Sequence, residues 1–152
     1  SSDVCSSDLA FAVIGFGLYL VASLALWSEA KSEMLPVIGA GYVMSRSLSG
    51  LSVMVFPSAK KDGLGRTFQE QAHRKRVAVV MGCWFFAALA VMLMTSVQMG
   101  AAALCTALLV FWYYHHMAMK QFGGMTGDLA GYFLQLAELL ILAAVIVAGG
   151  AL

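Results

Sequence analysis

The chain has 152 residues, 61% of them hydrophobic and 11% charged, with a formal net charge of +1 and a mean hydropathy of +0.85. This balance lies outside that of a soluble domain and predicts an all-α, polytopic integral membrane bundle with room for about five transmembrane helices. The basic residues crowd into one loop instead of covering a face, so no nucleic-acid partner is expected.

The opening SSDVCSSDL lacks Met, repeats Ser-Ser-Asp, and has neither the basic start nor the apolar run of a signal peptide. Residues 1–8 are expected to be a non-native or truncated start, and 9–152 a single transmembrane domain. Hydropathy then predicts spans at 9–27, 34–56, 77–97, 99–119 and 129–152. Cys5, Cys83 and Cys105 have no paired or metal spacing and read as structural.

The second span contains Arg46, whose charge at mid-depth costs about 3 kcal/mol in lipid and demands a partner. Glu138, the one acid inside a span, is the candidate. Next comes PSAKKDGLGRTFQEQAHRKR, residues 57–76, which holds six of the nine basic residues. By the positive-inside rule this loop is cytoplasmic, which places the 29–33 turn and the turn at Gln98 outside and returns 120–128 to the cytoplasm. A loop of this kind sets topology and touches anionic headgroups. Gly63 and Gly65 add a second reading, a backbone bent so that Lys60, Lys61 and Arg66 meet phosphate oxygens.

Trp112, Tyr113 and Tyr114 read as an aromatic belt at the membrane interface. His115 and His116 point about 100° apart on a helix and do not form a metal pair. The ten methionines read as flexible apolar packing.

The stretch KQFGGMTGDLAG, residues 120–131, interrupts two apolar runs. Gly123 and Gly124 break the fourth helix, and Thr126 or Asp128 can cap the fifth. A helix start of this kind offers N–H groups and a positive dipole end to an anion, and Asp128 beside a phosphate implies an intervening Mg²⁺. A plain capped turn is the alternative. Asp128, Gly131, Gln135 and Glu138 follow at helical spacing and form one polar stripe. Ten residues rise about 15 Å, so Asp128 and Glu138 cannot share an ion; Gln135 and Glu138 are expected to support the site or the fold.

Ser45-Arg46, PSAKKDGLGRTF and GGMTGDLAG with Glu138 beyond, in that order and at these intervals, resemble the C-terminal part of the cobalamin synthase (adenosylcobinamide-GDP ribazoletransferase) family. The resemblance implies a multi-pass enzyme of the cytoplasmic membrane that uses Mg²⁺ and joins α-ribazole or its 5'-phosphate to adenosylcobinamide-GDP, releasing GMP. Asp128, Lys60 and Lys61 would be catalytic, with Asp128 on the metal. Arg46, Gly63, Gly65, Arg66, Gly123, Gly124, Thr126 and Gly127 would bind substrate. The family's acidic motif HxDGLADxxDG has no counterpart here, the aspartates being Asp3, Asp8, Asp62 and Asp128; an incomplete chain, inactive alone, is therefore expected. Two other classes fit the residues less closely. One is a Mg²⁺-dependent membrane transferase of other nucleotide-activated alcohols, the other a non-catalytic transporter component lined by Arg46 and Glu138. Membrane lipid is an expected partner, and self-association into a homo-oligomer is left open.

Overall fold

A computed structural model describes residues 2–57 and 74–150. Its elements are α1 (Ser2–Glu29), a 3₁₀ turn (Ser32–Met34), α2 (Leu35–Val55), α3 (Arg74–Thr95), α4 (Val97–Phe122) and α5 (Gly127–Gly150). No strand occurs among the described residues, in keeping with the expected helical bundle. The chain divides into two units, Ser1–Ala30 and Lys31–Leu152. The first is essentially α1, a single apolar helix whose segment Ala10–Glu29 is long enough to cross a membrane.

In the second unit α2 and α4 each pack against the other three helices. Local chemistry sets the helix ends. Pro36 lies in the first turn of α2, where a missing N–H costs nothing. Pro57 disfavours helical geometry at Phe56, which is extended at φ −80°, ψ 144° and ends α2. Ser96 caps α4 by accepting from the Met99 N–H at 3.4 Å. At the far end of α4, Gly123 adopts the left-handed conformation (φ +67°), and the Gly124 N–H closes the turn onto the Ala118 carbonyl at 3.1 Å.

Among the described residues, four helical segments are both long and apolar enough to span a bilayer: Ala10–Glu29, Lys75–Thr95, Val97–Phe122 and Gly127–Gly150. The second expected span, α2, is absent from that set. Its 21 residues reach about 31 Å, a bilayer's thickness, so length is not the reason. Its composition is: Arg46 and the buried Ser45, Ser47, Ser49 and Ser52 dilute its apolar character. Three of these hydroxyls donate to carbonyls of their own helix: Ser45 to Tyr42 (2.9 Å), Ser47 to Val43 (2.8 Å) and Ser52 to Ser49 (2.7 Å). Satisfied internally, they can be buried without other partners.

The core joins α2 residues Val37, Ile38, Met44 and Leu48 to Met92, Ala103, Ala107, Ala137, Ile141 and Val145. Six of the methionines are buried, Met44 and Met92 completely, in line with their expected packing role. Cys83 and Cys105 are free thiols on exposed helix faces.

Candidate functional site

The candidate site forms where α2 leaves the bundle and α4 gives way to α5. The Met125 N–H donates to the Pro57 carbonyl at 2.8 Å. This one bond ties the first residue of the basic loop to the glycine-rich turn, so both polar loops start from the same end of the unit. Beneath the junction lies an aromatic floor. Phe56 sits 5.7 Å from Phe111, 5.8 Å from Tyr114 and, edge-on, 4.7 Å from His115, while Tyr114 stacks on Phe133 at 4.9 Å. Met125 is buried above it. Large rings with few rotamers hold the two loop roots at a fixed separation.

Thr126 caps α5: its hydroxyl accepts from the Leu129 N–H at 3.3 Å, and its carbonyl accepts from Ala130 at 3.1 Å. That resolves the choice between Thr126 and Asp128 as the cap. The N–H groups of Gly127 and Asp128, in the same first turn, have no partner among the described residues, as anion binding at a helix start requires. Gly127 and Asp128 are exposed, whereas Gly124 is buried.

Lys60, Lys61, Gly63, Gly65 and Arg66 lie outside the described residues. For Mg²⁺ the described residues make a limited fit. No three His, Cys, Asp or Glu side chains among them gather into a cluster. Within Lys31–Leu152, Asp128 is the single described carboxylate at this end, so an ion would draw its other ligands from phosphate oxygens and water, a mode Mg²⁺ favours.

Deeper along α5 the polar stripe is formed as expected: Asp128, Gly131 and Gln135 are exposed and Glu138 half-buried. Arg46 Nη1 donates to Glu138 Oε1 in an ion pair between α2 and α5. The two side chains differ in surroundings, Arg46 being 63% exposed and Glu138 17%. The pair thus closes the lower end of the stripe and presents its cationic side outward.

Tyr114 departs from the sequence reading. Trp112 and Tyr113 are exposed, as an interfacial belt requires, but Tyr114 is 1% exposed and belongs to the aromatic floor. Its hydroxyl is buried without a hydrogen-bond partner among the described residues. Ser52 lies close by, short of hydrogen-bond geometry, with its own proton donated to Ser49. Helical periodicity carried the missed signal, since Val110, Tyr114 and Ala118 repeat every four residues and are all buried. The Pro57 carbonyl was missed too, because a contact between residues 57 and 125 has no local signature.

A family model described as cobalamin-5-phosphate synthase matches residues 10–146. Over 141 residues the chain is 40% identical to the adenosylcobinamide-GDP ribazoletransferase of Lachnoclostridium phytofermentans, an overlap of 93% of this chain and 54% of that protein. Against the protein of the same name from Ectopseudomonas mendocina it is 33% identical over 125 residues, 82% of this chain and 42% of the relative. The chain spans about half the length of the curated relatives it matches. No solved structure matches it.

Proposed function

We propose that this chain, which belongs to the cobalamin-5-phosphate synthase family, supplies the diphosphate-binding part of an adenosylcobinamide-GDP ribazoletransferase of the cell membrane. The supporting observation is the bond from Met125 to Pro57, which roots the basic loop beside the open N-terminus of α5. Both loops would face the cytoplasm, where six of nine basic residues belong by the positive-inside rule.

In the proposed reaction a hydroxyl oxygen of α-ribazole, or of its 5'-phosphate, bonds to the cobinamide-side phosphorus. The bond from that phosphorus to the bridging oxygen breaks, the hydroxyl proton passes to solvent, and GMP departs with the bridging oxygen. The chain's contribution is placement and charge. The Gly127 and Asp128 N–H groups hold phosphate oxygens at the helix start, Gly123 and Gly124 let the backbone approach, and Thr126 holds the turn in shape. Lys60, Lys61 and Arg66 neutralise charge growing on the departing GMP. Mg²⁺, when bound, would neutralise the diphosphate, with Asp128 as its protein carboxylate. The acidic motif that the family resemblance implies has no counterpart in these residues, so residues 1–152 alone are expected to release no GMP.

The test is GMP release from adenosylcobinamide-GDP with α-ribazole and Mg²⁺, measured in a protein of the relatives' full length that carries these residues. The variant K60Q/K61Q lowers kcat/KM at least about tenfold while membrane insertion is unchanged, and Asp128→Asn raises the Mg²⁺ needed for half-maximal rate. Unaltered kinetics in K60Q/K61Q would reduce the basic loop to a topology determinant.

A further inference from the structure

The Arg46–Glu138 pair sits some eleven residues below the start of α5, about 16 Å along the helix axis. It is joined to the loop end by the exposed Asp128, Gly131 and Gln135. A guanidinium 63% exposed at that depth does not face lipid, where an arginine costs about 3 kcal/mol or more. The stripe therefore borders a polar space reached from the loop end. Its charge argues against a second phosphate there, because Arg46 and Glu138 cancel. A neutral ligand part with adjacent donors and an acceptor is the better complement.

We infer that the Arg46–Glu138 pair is a guanine-reading subsite for the nucleotide whose diphosphate lies at the start of α5. The inference rests on the transferase reading above and specifies what its substrate's nucleotide meets. The Watson–Crick edge of guanine presents N2–H, N1–H and O6 in a row, two donors and then an acceptor. A carboxylate with a guanidinium at its side presents the complementary row, two acceptors and then donors. Glu138 receives N1–H and N2–H on lone pairs not used by Arg46, and a remaining Arg46 N–H donates to O6. An extended nucleoside diphosphate is long enough to cover most of the distance from helix start to pair. Gly131 leaves room for the sugar between them, since a Cβ there meets nothing within 4 Å.

The test compares GDP with IDP, which differs by the missing 2-amino group, binding to the 152-residue chain in lipid nanodiscs. GDP binds about tenfold more tightly than IDP, the worth of one hydrogen bond to a carboxylate, and Glu138→Gln brings the two affinities together. Because the deciding change is in the ligand, misfolding of a variant cannot mimic the result. Equal affinities for GDP and IDP overturn the inference, as does the absence of GDP binding at millimolar concentration. Neither outcome touches the transferase reading, which stands or falls on GMP release by the full-length protein.

Discussion

Helices α2 and α3 are nearly equal in length, 21 and 22 residues, and lie antiparallel, with Gly41 against Met92 and Gly50 against Met81. In every other respect they are opposites. The α2 helix buries eleven residues, four of them serines, and carries the arginine. From α3 the side chains of Val79, Val80, Trp84, Phe86, Val91 and Met94 point outward, while Ala88 and Met92 are buried. In water the more polar helix would be the outer one. Here lipid is the solvent, and the order inverts: the helix with most to satisfy is placed where other helices and its own carbonyls can satisfy it. By composition α3 is therefore long and apolar enough to cross a bilayer, whereas α2, the helix that organises the unit, falls short.

The strongest way to break this comparison is to unbalance the charge that α2 brings inside. Arg46→Met leaves Glu138 half-buried without its partner, and Glu138→Leu leaves Arg46 unpaired at mid-depth. The first is expected to cost about 2–3 kcal/mol of unfolding free energy in micelles, the order expected for a carboxylate left half-buried without its partner; the second costs less, since Arg46 faces the polar space beside the stripe. The double variant recovers most of the loss, since two apolar side chains need no partner. Additive losses in the double variant would mean that the two residues stabilise α2 and α5 independently.

A finer test swaps glycine for alanine on the two helices. At Gly41 an added Cβ would come within 2.7 Å of Cγ2 of the fully buried, β-branched Ile141. That side chain has little freedom to move, and Gly41→Ala should cost about 1–2 kcal/mol. At Gly82 on α3 nothing lies within 4 Å, so Gly82→Ala should stabilise, by up to about 1 kcal/mol from helix propensity. The same sign for both substitutions in a thermal-shift series would deny that α2 packs closely and α3 loosely.

What could be read in the sequence follows the range of each signal. Five long helices and their approximate ends were legible because apolar runs, Pro57, Gly123 and the capping Thr126 act locally. The Arg46–Glu138 pair was legible because two lone charges at similar depth in lipid have few other solutions. The Met125–Pro57 bond was not, since it links residues 68 positions apart through backbone atoms, which carry no residue signature. The fourfold repeat that buries Tyr114 was overshadowed by its neighbours Trp112 and Tyr113, which do face outward.

The hydroxyl of Tyr114 supplies the smallest expected effect and the most specific one. Tyr114 is the largest of the fully buried side chains, stacked on Phe133 and packed against Phe56 and Phe111. Its ring holds up the junction of the two loops, yet its hydroxyl has no partner among the described residues. Burying an unpaired hydroxyl carries a desolvation cost, whereas the ring contacts survive its removal. Tyr114→Phe should therefore leave stability unchanged or raise it by up to about 1 kcal/mol, and Tyr114→Ala should lower it by about 3 kcal/mol or more through loss of the ring. The two variants separate the ring from the hydroxyl, as α2 and α3 separate satisfied polarity from exposed apolarity. Three of the four buried serines on α2 return their protons to their own helix and cost little, while a tyrosine on α4 is too long to do the same. A loss of 2 kcal/mol or more in Tyr114→Phe would mean that the hydroxyl is bonded in the folded protein, with Ser52 or a buried water as its partner, and that the inward polarity of this bundle is satisfied throughout.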